Sequence, residues 1–377
     1  MRSSGLFEVE VVSGPQVLDT IGEPFDELHR RTGASLTQSR RWLSAWVGAN
    51  SDEPHAVVVR NSTTGAMSGA ALFGLHARGG VIRVRGLGHG LSDHVSFMAT
   101  DAAAADALAS GIVEWLGGFR RPWLLHLEHV VIDDLGVTRF AAALATHEWT
   151  PGMPSPWTVM GEDRSLEAHT KSRFRRNRNR AIAKLKEAGH RMVISPRTGD
   201  EINTDLIEQI EHVRRSRDDD IGILSELDTR TGRQFWHSIV DTFAASGELV
   251  LQVLEIDDRI AAYCIGFRDG STLRMWDSRI DPDMAEHSPG LLLHLEMLEE
   301  ALSDIRLDEI DWGRGDSPSK RRLADELRPS SELHAWSSEN VRRAHRLAVV
   351  GRTRLVAIKD RNERVRRLWM AIRARTK

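Results

Sequence analysis

The ten residues Asp311-Trp312-Gly313-Arg314-Gly315-Asp316-Ser317-Pro318-Ser319-Lys320 hold two carboxylates, a guanidinium and an ammonium around two glycines. A carboxylate there could orient or deprotonate an amine, and an ammonium could stabilise a developing oxyanion. Asp311 and Asp316 are the candidates for the first role and Lys320 for the second. A solvated charged loop would have the same composition. A second cluster, His287-Ser288-Pro289-Gly290, precedes an apolar stripe of Leu291, Leu292, Leu295, Leu298 and Leu302. It reads as a helix start, with Ser288 at the N-cap and Pro289 in the first turn. Free N–H groups at a helix N-terminus bind anions, and Gly290 would allow a ligand to approach closely. Ser288, Gly290 and Leu291 could therefore cradle a pyrophosphate. The same three residues also suit a helix start with no ligand.

The elements around these clusters are readable. Residues 249–256, 259–267 and 271–278 alternate as strands, separated by Asp257-Asp258 and Asp269-Gly270, so an antiparallel meander is expected. Residues 308–312 read as a further short strand. Upstream, 166–188 reads as a basic helix, followed by helices at 200–215 and 228–246. In the first half, strands are expected at 7–12, 55–60, 66–76, 81–87 and 123–130, with helices at 15–31, 102–117 and 137–147. Trp42 and Trp46, four residues apart, share a helix face. Pro151, Gly152, Pro154, Pro156 and Gly161 mark a linker. The expected organisation is 1–150, a linker at 151–163, a second domain at 164–335 and a basic tail at 336–377.

A length of 377 residues suits two domains of roughly 150–200 residues, each able to bury a core. The single cysteine, Cys264, permits no intrachain disulfide, which fits a reducing compartment, and mid-strand it reads as a small core residue. The first residues resemble no signal peptide, and no stretch of about 18 apolar residues appears, so a cytoplasmic protein is expected. A net charge of −3 conceals segregation: residues 164–191 carry ten Lys or Arg against two acids, and residues 341–377 carry thirteen against two. The helix 166–188 could contact a tRNA backbone or the phosphates of a smaller donor, or simply pair with acidic surface. The segment 341–377 mixes arginines with aliphatics, as suits RNA or an anionic membrane surface such as the inner membrane face, or a helix packed on the protein itself. The sixteen histidines include no His-Glu-x-x-His, so no metal site is expected. A Walker loop and a Gly-x-Ser-x-Gly elbow are also missing.

Several motifs carry a resemblance. Ser172-Arg173-Phe174-Arg175-Arg176-Asn177 with Leu185 and Gly189, then Trp236, 254–262, His287-Ser288-Pro289-Gly290 and Asp311–Asp316 with Lys320 follow one another in order. In the first half, Gln38-Ser39 with Trp42 and Trp46, and Leu91-Ser92-Asp93-His94, extend the pattern. Over about 35–325 the chain resembles the GNAT-type proteins of the bacterial cellulose-biosynthesis CelD-like family and, more distantly, the Fem-type aminoacyltransferases. Two features depart from that pattern. Ser319 stands before Lys320 where an aromatic is usual, and the glycine-rich signature of acetyl-CoA binders is reduced to His-Ser-Pro-Gly. The resemblance implies an α/β (α+β) fold of two tandem GNAT-like domains, each a mixed, mostly antiparallel sheet flanked by helices. It implies an N-acyltransferase in which an amine attacks the donor carbonyl directly. The donor would be acyl-CoA as co-substrate, with no permanently bound cofactor, or an aminoacyl-tRNA; a non-catalytic scaffold at the membrane is a third reading. Arg173 and Arg176 would help bind the donor. Asp93, His94, Trp276, Asp277 and Arg314 would face a small-molecule or glycan amine between the halves.

Overall fold

A computed structural model describes residues 2–361, so residues 362–377 of the expected tail lie outside the described residues. Two sheets form the frame. The first joins β1 (Arg2–Ser4), β2 (Phe7–Ser13), β3 (Glu53–Asn61), β4 (Met67–Arg78), β5 (Val81–Gly86), β6 (Met98–Ala99), β7 (Trp123–Val131), β8 (His147–Pro151) and β16 (Ser330–Trp336). The second joins β9 (Ser155–Val159), β10 (Met192–Arg197), β11 (Leu249–Ile256), β12 (Arg259–Asp269), β13 (Thr272–Ile280), β14 (Glu309–Asp311) and β15 (Glu326–Arg328). The helices are α1 (Val17–Thr32), α2 (Arg40–Ala49), α3 (Ala102–Gly117), α4 (Leu135–Ala143), α5 (Leu166–His169), α6 (Ser172–Glu187), α7 (Thr204–Asp220), α8 (Arg230–Ala245), α9 (Pro289–Ser303), α10 (Pro318–Arg321) and α11 (Glu339–Arg361).

Both halves are built alike. An antiparallel series (β2 to β5, and β10 to β13) is followed by a helix, α3 or α9, that crosses to one parallel strand, β7 or β14. The meander at 249–280 forms as its sequence predicts. Asp257 and Asp258 make the tight turn with φ of 50° and 63°, the left-handed values that a type I′ turn requires.

The boundaries differ from those expected. The stretch 151–163 is no simple linker, because its residues 155–159 form β9, which pairs with β14 and β15 in the second sheet. After the second sheet is complete, β16 returns to the first sheet and inserts between β7 and β8. The first sheet thus contains one strand from the far side of the boundary, whereas β9 opens the second sheet. Pro156 stands near the start of β9, and Ser155–Thr158 are buried. The basic helix also starts later than expected: extended backbone at Thr170 and Lys171 separates the single turn α5 from α6.

Packing joins the halves as firmly as the strands do. Trp42 is fully buried on α2 and meets Phe235 of α8, Phe267 of β12 and Trp276 edge-on, with ring centroids 5.5, 5.6 and 5.7 Å away. Edge-to-face contacts of this kind add to area burial. The Trp42–Trp46 face expected from spacing is thus the interface between halves, part of one core cluster drawn from both. No helix among the described residues is long and apolar enough to cross a membrane.

Trp42→Ala should cost about 3–5 kcal/mol in urea unfolding. The wild type should unfold in one transition followed alike by fluorescence and far-UV circular dichroism. Two separated transitions would contradict a shared core.

Candidate active site

The site arises where β13 leaves its neighbours. In the β12–β13 register Ile265 faces Asp277 and Gly266 faces Met275, which leaves Trp276 as the extra residue of a bulge. Bulges re-aim side chains and are frequent beside active sites. Gly266 is required there, because a Cβ would lie 2.7 Å from the Arg274 carbonyl oxygen. On the other side, β13 pairs with β14 only from Thr272 to Arg274. Beyond Asp311 the chain turns away through Gly313, at φ 72°, where a Cβ would stand 2.7 Å from the Met275 carbonyl oxygen. The strands splay, and two cavities open beside β13.

One cavity, of about 660 Å³, lies against the start of α9 and includes Ser288, Gly290 and Leu291. Ser288 adopts a left-handed conformation, and the first turn of α9 has no side-chain cap. The wall opposite is α6, through Asn177, Arg180 and Lys184, with Arg217, Arg279 and Arg322 adding charge. Arg173 and Arg176, expected at the donor, are not among its residues. Both are exposed, and Arg176 bonds Ser172 of its own helix. The residues that do line the cavity lie at i, i+3 and i+7 on one helix face. Helical spacing groups these three, but with only Phe174 and Leu185 buried nothing along the chain fixes which face of α6 meets the cavity.

The second cavity, of about 350 Å³, lies between the halves and brings together Asp93, Trp276, Asp277, Arg314 and Lys320. Arg279 borders both cavities. Lys320 donates through Nζ to the carbonyl oxygens of Arg314 at 2.7 Å and Gly313 at 3.3 Å. Burial lowers its pKa, against the pull of Asp93 and Asp311. Arg314 pairs with Asp93 at 2.5 Å, and donates to His129 Nε2 at 2.5 Å and to the Gly90 carbonyl oxygen at 3.3 Å. Arg314 and Asp93 thus bridge the halves, their charges committed to each other.

Four expected roles change with this geometry. Asp311 is buried, and its Oδ2 accepts from His94 Nε2 at 2.8 Å and from Arg274 Nη1 at 3.0 Å, while Oδ1 accepts from the Gly313 N–H at 2.9 Å. Burial would raise its pKa, but the His94 hydrogen bond and the Arg274 charge hold it below the usual carboxylate range. So satisfied a carboxylate positions the loop and is no base. His94, spent on the same bond, lines a different cavity on the far side of this link. Asp316 is exposed and paired with Arg321, away from both cavities beside β13. Asp277 is likewise locked: its Oδ2 accepts from Arg214 at 2.6 Å, Trp236 Nε1 at 3.0 Å and the Tyr263 hydroxyl at 3.0 Å. Arg279 links Asp277 to Asp218, completing a charge cluster under the floor of the cleft.

One pair went unnoticed in the sequence. His294, one turn beyond Gly290, is half-buried, and its Nε2 lies 3.0 Å from Ser278 Oγ. Burial lowers its pKa to about 4, so the imidazole is neutral at pH 7. Ser278 and His294 both line the α9 cavity.

Removing one partner from a buried, hydrogen-bonded charge cluster costs about 3–5 kcal/mol. Asp311→Ala should lose that much at pH 7. Asp277 and Asp311 both titrate below their unfolded values. Their stabilisation is therefore present above about pH 4 and lost as pH falls through the depressed folded values. Urea midpoints from pH 7 to 3 should show this acid loss in the wild type and a shallower one in Asp311→Ala.

Comparison with known proteins accords with this architecture. Residues 172–321 match the family model of the acetyltransferase (GNAT) domain. A search of curated proteins finds no match. Among solved structures, FemX superposes with a TM-score of 0.60 at 10% identity, covering 82% of this chain and 95% of that one. A conserved protein of unknown function from Bacteroides thetaiotaomicron gives 0.57 at 9% identity, covering 86% and 99%. The C-terminal domain of a putative lysylphosphatidylglycerol synthetase from Agrobacterium fabrum gives 0.52 at 10% identity, covering 83% and 92%. At such identities the likeness is one of fold. The second half of this chain, with its splayed strands and helix-start cavity, thus resembles an acyltransferase domain of the GNAT type over residues 172–321.

Proposed function

We propose that the protein transfers an acyl group from acyl-CoA, held against the start of α9, to an amine held between the halves. The observation that carries this reading is the meeting of two unlike cavities at Arg279. One is cationic and ends on an uncapped helix N-terminus, as a pyrophosphate requires. The other is polar, with Trp276 and Lys320 facing it. The amine nitrogen attacks the thioester carbon, and the carbonyl electrons move onto oxygen beside the Lys320 ammonium. Collapse of the adduct forms the amide and expels the thiolate, which takes up a proton. The proton leaving the amine passes to Ser278 Oγ as Ser278 gives its own to neutral His294, and the imidazolium so formed returns that proton to the departing thiolate. Holding both reactants in place supplies much of the rate enhancement.

Exposed Arg173 and Arg176, outside the donor cavity on a helix of high positive charge, favour a second donor, an aminoacyl-tRNA. RNase-sensitive turnover with a steep salt dependence would select it. On α11, exposed Leu347 and Val350 among arginines support contact with an anionic membrane surface. Vesicle flotation with and without 341–377 tests that contact. Flotation together with failure to bind any acyl-CoA would favour the non-catalytic scaffold.

An acyl-CoA and amine screen, read by mass spectrometry, supplies the assay. Lys320→Ala should then lower kcat by about 100-fold or more, the usual cost of losing one oxyanion donor. Because only the charged ammonium stabilises the oxyanion, wild-type kcat should fall as pH rises through a value below that of an ordinary lysine. Unchanged kcat in Lys320→Ala contradicts the role. Arg180→Glu with Lys184→Glu should raise KM for acyl-CoA at least tenfold, with kcat little changed.

A further inference from the structure

A cluster of ligand-type side chains lies outside both cavities, on the first sheet. Strands β7 and β16 are antiparallel, and their register sets His126 directly opposite His334. Leu125, Leu127, Leu333 and Ala335 point into the core, so alternation turns His126, Glu128, Glu332 and His334 to the other face. The Nε2 atoms of His126 and His334 converge on one oxygen, Glu332 Oε2, at 3.0 and 3.5 Å. In a tetrahedral site with metal–ligand bonds of about 2.0–2.2 Å, ligand atoms stand about 3.3–3.6 Å apart. The His334–Glu332 spacing fits that edge length, and the His126–Glu332 spacing is about 0.3 Å shorter, so a small ring rotation brings it into range.

Two further observations separate this cluster from an ordinary polar surface. The chain has 51 Lys and Arg, yet the ion-pair partners of Glu128 and Glu332 among the described residues are histidines. A second tier also stands behind the first. Glu128 Oε1 lies 3.9 Å from His126 Nδ1, and its Oε2 lies 3.4 Å from His89 Nδ1, a buried atom with no hydrogen-bond partner. A carboxylate behind a ligating imidazole is the usual means of fixing its tautomer and orientation.

We propose that His126, Glu332 and His334 bind a divalent transition metal of the zinc type, with a solvent molecule as fourth ligand. Imidazole and carboxylate together suit such an ion. The His126 and His334 rings are stacked, with centroids 4.2 Å apart. Ligation therefore turns one ring about its soft terminal torsion. The ion would join residues 206 positions apart in sequence, fastening the returning strand β16 to the first sheet. No catalytic step is assigned to it, and no motif along the chain signals it, because its ligands meet only through strand pairing.

The test uses the full chain, stripped with EDTA and titrated with Zn²⁺ by calorimetry and with Co²⁺ by its visible absorption. The wild type should bind one equivalent, and its Tm should rise with free Zn²⁺ by mass action. Glu332→Gln and His334→Gln should each weaken binding by more than about 100-fold, beyond the roughly 10–100-fold cost of an outer partner expected for His89→Gln. Far-UV circular dichroism of the metal-free variants checks that each is folded, and either one suffices if the other is not. The proposal is overturned if the wild type binds no Zn²⁺, if the folded variants bind it undiminished, or if the loss is confined to His89→Gln.

Discussion

The buried carboxylate of Asp311 is the point on which the site depends. It ends the last strand shared with β13, accepts a hydrogen bond from His94 of the first half and another from Arg274, and holds the N–H of Gly313 as the chain turns away. A carboxylate this deeply buried is tolerated only when its lone pairs are occupied and its charge is matched. Here one group meets both demands while fixing the relation of the two halves. His94 is held in turn, since Gln38 and Thr37 donate to its carbonyl oxygen at 2.8 and 3.3 Å. The loop carrying Arg314 and Lys320 therefore leaves the sheet from a fixed origin.

From that origin the two cavities follow. The bulge at Trp276 and the early end of the β13–β14 pairing separate the strands. The separation exposes the start of α9 on one side and the cleft between halves on the other. Charges flanking the cleft are largely spent on one another: Asp277 with Arg214 and Arg279, Asp93 with Arg314. Such locking suits a site that must hold geometry through a reaction, because preorganised groups need not reorient as charge develops. On the proposed reading, Lys320 and the Ser278–His294 pair are the groups left to interact with reactants.

Local signals were legible in the sequence, and non-local pairing was not. The meander over 249–280, its turn at Asp257-Asp258 and the helix begun at Ser288-Pro289-Gly290 depend on near neighbours and form as expected. The set Asp93, Trp276, Asp277, Arg314 and Lys320 does meet in one cleft. Asp311 looked like a base because its partners, 217 and 37 positions away, are invisible along the chain. The phase of α6 was equally obscure. With only Phe174 and Leu185 buried, the helix offers almost no apolar stripe, so nothing singled out Asn177, Arg180 and Lys184 over Arg173 and Arg176. The placement of β9 and β16 in opposite sheets had no sequence signal at all.

The central claim is that the donor lies between α6 and the start of α9. Hydrogen–deuterium exchange of the full chain with and without CoA tests it most directly. Slowed exchange is expected over residues 174–184 and 278–294. Unchanged exchange there, or protection confined to the cavity near Gly33, His94 and Leu135 in the first half, would contradict it.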